Sequence, residues 1–446
     1  KQPPIVDKKY EAIKANLPSD AELDAAITPD EVITAVQKMG VDKAKGPCGL
    51  ETRFFKDGCE REIRARHYND SEEERKGPFP FCAALTRILN NIYDSGKWPE
   101  KFRYGELIAF YKKGNPLLPE NYRGITLLSV FAKLLLSILT SRLYLRAESA
   151  GLLANEQCGF RAGRSCDEQV LTLHCLLTYR KTNGLVSYVA FLDLRKAYDY
   201  VWRRALLVHL AELGITGKMW RILDDSYKRF YRTLRCDMVP GASETRFFEK
   251  ARGLPQGSPE SPLLFNLFLD RLPRALRLRC PGIQLANVSS LLFADDIAIV
   301  ADSAAELRIA LKVAEEFFTT WRLRLNPSPK SGILIVGPTG SRQALTSEVF
   351  LCNGCELRSV DHYTYLGVII SYDLTWRRHI RHIKERVQKK CSWLRYIAGQ
   401  ARGIRPRTYL KLYLTCVRPL LEYCSAVWGP LLTVRQKKEL QGLQSD

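Results

Sequence analysis

No apolar run in this 446-residue chain approaches the roughly 20 residues that a helical membrane span requires, so a membrane-spanning protein is not expected. Nothing at its start reads as a signal peptide, and it opens on Lys1 rather than Met, as a fragment or a processed product would. Its 13 cysteines, scattered from Cys48 to Cys424, lack the dense spacing of a small disulfide framework, which suits a reducing compartment. The one CxxC, Cys352 to Cys355, encloses Asn353 and Gly354, a strong hairpin-turn pair. No second CxxC completes a zinc site there. Acidic residues are in deficit: 48 Asp and Glu against 68 Lys and Arg leave a net charge of +20, which favours a polyanionic partner. Charge alone does not choose among nucleic acid, anionic membrane and ribosome. The length allows a large core in two or three domains or subdomains.

The most informative stretch is LLFADDIAIV at residues 291–300. Two apolar runs flank a short acidic turn, the pattern of a hairpin with Asp295 and Asp296 at its tip. Adjacent carboxylates on buried strands repel unless a cation holds them. Asp is also ordinary turn chemistry, and the hairpin alone leaves both readings open. A second stretch, YVAFLDLRKAYD at 188–199, delivers another carboxylate, Asp193, at the end of an apolar strand. Strand-end carboxylates from separate parts of a chain are what a two-metal phosphoryl-transfer site needs. Its two divalent ions, about 3.5–4 Å apart, activate the attacking hydroxyl and stabilise the leaving oxygen. Magnesium suits such hard oxygen ligands.

Phe191 to Val201 and Phe293 to Asp296 resemble the two catalytic palm motifs of reverse transcriptases, and GLPQGSPESPLLFN at 253–266 resembles their Gln-Gly loop and helix. The ordered set is most similar to the non-LTR (LINE-type) retrotransposon enzymes. It runs from about residue 27 to the C-terminus. The resemblance implies an α/β (α+β) right-hand polymerase in which Asp193, Asp295 and Asp296 are catalytic and bind two Mg²⁺, with Mn²⁺ as a substitute. The expected layout is an N-terminal extension at 1–26, fingers at 27–185 with a charged insertion at 57–80, an antiparallel palm with packed helices at 186–370, and a basic helical thumb at 371–446.

Along the chain, TPDE at 28–31 is a capping box that opens a helix. KAKGPCG at 43–49 is similar to a loop of LINE-type enzymes, with Cys48 where the family has Asp. By resemblance, a fingers hairpin offers Lys112 and Arg123 to the triphosphate of an incoming nucleotide, with ordinary surface cations as the plain alternative. QCGFRAGR at 157–164 matches a family loop whose Arg161 and Arg164 approach the template backbone. Tyr198 stands where the family holds an aromatic ring against the nucleotide sugar, rejecting a 2′-hydroxyl by sterics. Gln256 and Gly257 leave backbone uncovered to face the nascent base pair. Ser261 and Pro262 read as N-cap and first-turn residues of a helix from Leu263 to Leu272, stopped at Pro273. Lys330 is either a general acid for departing pyrophosphate, as the family suggests, or an exposed loop lysine. YTYLGV at 363–368, with Leu366 and Gly367, resembles the hairpin that grips the primer end.

Residues 372–411 carry twelve Lys and Arg against Asp373 and Glu385, half of the chain's excess charge. Trp376, Ile380, Ile383, Val387 and Leu394 mark an apolar face, and Arg377, Arg381 and Lys384 stand on the basic sides toward a template–primer duplex. The expected partners are an RNA template, a DNA or RNA primer and dNTPs, with no membrane. The expected compartment is intracellular, and nuclear for a retrotransposon enzyme. A second class is a non-catalytic RNA-binding scaffold derived from such an enzyme. The three carboxylates, the Gln-Gly loop and Tyr198 argue against it, and Tyr198 also disfavours an RNA-templated RNA polymerase. No endonuclease, RNase H or zinc-finger pattern is present in these residues.

Overall fold

The computed structural model describes residues 4–60, 80–235, 247–280, 282, 288–327, 329–338, 348–399 and 403–445, so most of the charged insertion lies outside the described residues. In chain order the strands are β1 (Tyr104–Tyr111), β2 (Tyr122–Leu128), β3 (Ser187–Asp193), β4 (Tyr231–Leu234), β5 (Phe248–Glu249), β6 (Ser290–Phe293) and β7 (Asp296–Ala301). There follow β8 (Gly332–Val336), β9 (Phe350–Cys352), β10 (Cys355–Leu357), β11 (Ser359–Val360), β12 (His362–Tyr365) and β13 (Val368–Ser371). Mixed α and β structure, with parallel and antiparallel strand pairs, is thus the fold class. The chain forms two compact units that interleave in sequence.

The first unit comprises Lys1–Ala154, Lys196–Arg271 and Trp321–Leu323. The capping box at Thr28 forms as expected, opening the helix Pro29–Lys38 with Pro29 in its first turn. Its buried Val32, Ile33 and Val36 face the helices Pro80–Ser95 and Val130–Ser149, and Arg142 ties the pair together by a forked ion pair to Glu31 at 2.6 Å. The sheet of this unit has the order β2-β1-β4-β5. Gly46 matters for packing here: a Cβ would meet the Leu128 carbonyl at the end of β2 at 2.2 Å.

Two expectations about the helix after the Gln-Gly loop need correcting. It runs Ser261–Leu269 with Glu260 as its cap residue, and the Ser261 hydroxyl donates instead to the Pro255 carbonyl at 2.8 Å. Ser261 is already the first residue of the helix, one position past the cap, and its hydroxyl serves as a donor to the loop. Pro273 does not stop a helix either. It sits in the first turn of the next one, Arg271–Arg279, where the missing N–H would have had no intrahelical partner.

The second unit comprises Asn155–Arg195, Leu272–Thr320 and Arg324–Asp446. Its five-stranded sheet has the order β11-β8-β3-β7-β6. β3 and β7 are buried along almost their whole length, which explains their unbroken apolar runs. Val189, Phe191, Ala298 and Val300 share a core with Leu173 and Leu177 of the helix Cys166–Thr182 and with Ile380, Ile383 and Val387 of the helix Arg377–Ala398. Burying the Phe191 ring alone is worth about 1.5–3 kcal/mol. It also stacks on Tyr363 with centroids 4.1 Å apart. The amphipathic basic helix expected after Trp376 is therefore present, with its apolar face in this core.

Candidate active site

The carboxylates meet within the second unit because strand register places them there. β3 and β7 pair antiparallel with Asp193 opposite Asp296, and β6 pairs with β7 so that Phe293 is also opposite Asp296. Only Ala294 and Asp295 form the turn, and Ala294 takes a left-handed φ of 55°. A two-residue hairpin needs positive φ at its first central position, where glycine is the usual choice. With alanine there, the turn carries strain on the order of 1–2 kcal/mol.

Asp296 stays open to solvent on one side, yet its carboxyl is pushed up to about 6. Lost hydration among crowded protein atoms contributes most, followed by the charges of Asp295 and Asp193. Tyr363, whose phenol is raised by burial and by the charges of Asp193 and Asp296, donates its hydroxyl to the Lys330 carbonyl at 2.6 Å. Hard oxygen donors crowded against each other fit a divalent cation, whose charge reverses the cost of ionising Asp296. Among the described residues no group of three or more His, Cys, Asp or Glu closes around one metal position. Magnesium sites are commonly completed by substrate phosphates and water rather than by protein alone.

This gives a pH prediction. The folded pKa of Asp296 lies above the ordinary Asp value, so the folded protein keeps a proton that the unfolded chain releases between about pH 4 and 6. Stability therefore falls as pH rises through that window. Metal-free Asp296→Asn is expected to melt above wild type at pH 7 by about 1–2 °C, the open side screening the effect. At pH 4 the two should melt together. Equal melting temperatures at both pH values in EDTA would remove this account.

Sequence reading missed the residue that holds Asp193. Asn326 donates its side-chain amide to Asp193 Oδ2 at 2.8 Å and its backbone N–H to the Asp193 carbonyl at 2.9 Å. Ser331 closes the arrangement, accepting from the Asp193 N–H at 3.1 Å and donating to the Asn326 carbonyl at 2.6 Å. Removing this amide with Asn326→Leu should lower single-nucleotide turnover about 10- to 100-fold. It should also raise the Mg²⁺ concentration for half-maximal rate. A Mg²⁺ titration with unchanged midpoint would refute the orienting role.

The nucleotide-side candidates Lys112, Arg123, Tyr198, Gln256 and Gly257 belong to the first unit. Tyr198 sits on the short helix Ala197–Tyr200, half-buried, its ring stacked on Phe265 at 4.8 Å. The Gln-Gly loop is stitched to it: the Leu254 N–H donates to the Tyr198 carbonyl at 2.7 Å, and a Cβ on Gly253 would strike the Asp199 backbone at 2.6 Å. On its other side the Thr126 N–H of β2 donates to the Gln256 carbonyl at 2.7 Å. β2 also carries Arg123, exposed and paired in register with Phe110. Lys112 lies exposed just past β1, its N–H bonded to the Asn121 carbonyl. Two buried cations behind the loop were not singled out from sequence. Lys250 bonds Asp199 at 2.9 Å and is pulled down to about 8, by burial above all. Arg203 donates to the carbonyls of Gly253, Tyr227 and Lys250, and burial draws it down to about 10.

The remaining candidates are in the second unit. Arg161 reaches back to the Gln157 carbonyl at 3.0 Å, and Arg164 is ion-paired with Glu168 in the following helix turn. Lys330 is exposed. Leu366 and Gly367 form the β12–β13 turn with φ of 47° and 80°, and Tyr423 donates to the Leu366 carbonyl at 2.8 Å. Arg377 and Arg381 are exposed and Lys384 half-buried on the basic helix.

Residues 111–370 match the family model described as reverse transcriptase (RNA-dependent DNA polymerase), which is more than half of the chain. The chain belongs to the reverse transcriptase family. It is 25% identical over 443 residues to the probable RNA-directed DNA polymerase from transposon BS of Drosophila melanogaster, covering 95% of this chain and 44% of that protein. It is 23% identical over 412 residues to the RNA-directed DNA polymerase from mobile element jockey of the same organism, covering 91% and 42%. A third relative is the Pol polyprotein from type-2 retrotransposable element R2DM, 28% identical over 290 residues, covering 64% of this chain and 27% of that protein. This reverse transcriptase chain thus spans less than half the length of these curated relatives, and the LINE-type, non-LTR resemblance of its motifs agrees with them. The matched family region contains the three carboxylates, Tyr198 and the Gln-Gly loop, whereas Arg377, Arg381 and Lys384 lie beyond it. Among the described residues no helix is long and apolar enough to cross a membrane.

Proposed function

We propose that the chain is the RNA-directed DNA polymerase of a non-LTR retrotransposon, a right hand with fingers, palm and thumb at the ranges expected from its motifs. It would extend a DNA or RNA primer 3′-hydroxyl with dNTPs on an RNA template, in the nucleus if the element is mobile there. The observation that carries this reading is the register pair Asp193 and Asp296 with Asp295 in the adjoining turn. When bound, two Mg²⁺ (or Mn²⁺) supply activation of the hydroxyl and stabilisation of the departing pyrophosphate oxygen.

The protein's own work is positioning and charge. Asp193, Asp295 and Asp296 offer hard oxygens, and Asn326 keeps one oxygen of Asp193 oriented. Arg123 and Lys112 neutralise the triphosphate, and Lys330 gives a proton to the leaving group. Tyr198 excludes a 2′-hydroxyl by shape while Gln256 and Gly257 face the nascent pair. Arg161, Arg164, the Leu366–Gly367 turn, Arg377, Arg381 and Lys384 hold template and primer through phosphates, which sets register without reading sequence.

The test is primer extension on an RNA template with Mg²⁺, comparing dNTPs with rNTPs. Extension with dNTPs alone is the expected result. Tight, salt-sensitive RNA binding without any extension would instead favour the RNA-binding scaffold within a ribonucleoprotein.

A further inference from the structure

We infer that Gln157 is a positioning residue for the polymerase reaction: its buried side-chain amide clamps Ala294 in the left-handed conformation that sets the direction of Asp295. The inference rests on the proposed polymerase function. Gln157 Oε1 accepts from the Ala294 N–H at 2.8 Å and from the Gly159 N–H at 2.9 Å, and Nε2 faces the Ala294 carbonyl at 3.4 Å. Both backbone groups of one residue are thus met by one amide.

The clamp is itself anchored. The Cys158 N–H donates to the Leu292 carbonyl at 2.9 Å and the Leu292 N–H to the Glu156 carbonyl at 2.8 Å, so residues 156–158 lie as an added edge against β6. Gln169 fixes the same edge by donating to the Glu156 and Leu292 carbonyls. Gly159 lets the loop lie flat on the turn, since a Cβ there would stand 2.4 Å from the Ala294 nitrogen.

The physical need follows from the backbone. Alanine at a φ of 55° is strained, and an unheld turn would relax to another conformation. Asp295 is the next residue, so any change in the Ala294 dihedrals swings its carboxylate. A neutral amide holds the turn without adding charge. Glu in its place would keep the acceptor, lose the donor and bring a fourth carboxylate to three others.

Three proteins test this: wild type, Gln157→Met and Gln157→Met with Ala294→Gly, all as the full chain. Single-nucleotide kcat and dNTP KM are measured on an RNA template. Mn²⁺ binding is measured separately by electron paramagnetic resonance with a primer lacking its 3′-hydroxyl. Gln157→Met is expected to lower kcat and Mn²⁺ affinity about 10- to 100-fold with little change in KM. Glycine at 294 reaches positive φ without strain, so the double variant should recover most of the lost kcat, which a merely structural defect would not do. Gln157→Asn, one methylene too short to reach, serves if the Met variant folds poorly. Wild-type kcat in the single variants, or a loss that glycine fails to relieve, overturns the clamp. If wild type itself does not extend, the polymerase reading falls. The Mn²⁺ titration then still decides the clamp, equal affinities of wild type and variant counting against it.

Discussion

Replacing Asp193 or Asp295 with Ala is expected to reduce primer extension by at least about a thousandfold while template–primer binding changes little. On the proposed reading each carboxylate would supply oxygen to ions worth several kcal/mol of transition-state stabilisation, and 1.36 kcal/mol is tenfold in rate. Duplex affinity should come instead from cations such as Arg377 and Arg381, which are exposed on the basic helix. The variants should also fold. Asp193 and Asp296 stand opposite each other in register, and the charge of Asp193 is among those that raise the Asp296 carboxyl. Removing the Asp193 carboxylate relieves that repulsion and gives up the side-chain hydrogen bond from Asn326, while the Asn326 N–H keeps its bond to the carbonyl of residue 193. Extension rates and filter-binding affinities measured on the same preparations check this. A variant that loses binding in step with activity would remove the metal-ligand assignment and make these residues structural.

Tyr198→Val should admit ribonucleotides. The ring at this position would fill the volume that a 2′-hydroxyl needs, and losing that exclusion is worth roughly 1–3 kcal/mol, or about 10- to 200-fold in the dNTP to rNTP ratio of kcat/KM. The gain should appear in rNTP kcat/KM, with dNTP incorporation falling modestly because the ring also stacks on Phe265. Tyr198→Phe keeps the ring and should keep the discrimination. That pair separates a gate from a core aromatic: unchanged rNTP use in the Val variant, or equal effects of Val and Phe, would leave Tyr198 as packing for the Ser261–Leu269 helix. The comparison does not depend on how fast the enzyme is, only on a ratio.

Much of the site was legible because its parts are local. The acidic hairpin announces itself by apolar runs on both sides of Asp295 and Asp296, and β3 by an apolar run ending in Asp193. The capping box at Thr28 and the apolar stripe of the Arg377–Ala398 helix are likewise short-range patterns. Two helix ends depend instead on folded partners: the Ser261 hydroxyl donates to a loop carbonyl, and Pro273 lies in the first turn of a helix. Lys250 and Arg203 look like surface cations in sequence, and only burial behind the Gln-Gly loop gives them their hydrogen bonds and lowered pKa values.

By itself, then, the sequence determined the chemistry: which residues are hard-oxygen donors, which strands carry them, and which surface is basic. Those properties follow from side-chain type and periodicity over a few residues. The tertiary structure alone decided the register that sets Asp193 opposite Asp296, and the amides that meet Asp193 and the backbone of Ala294. Gln157 lies 137 residues from Ala294 and Asn326 lies 133 from Asp193. A hydrogen bond to a backbone atom that far along the chain exists only once the strands between have paired, and no local pattern encodes it.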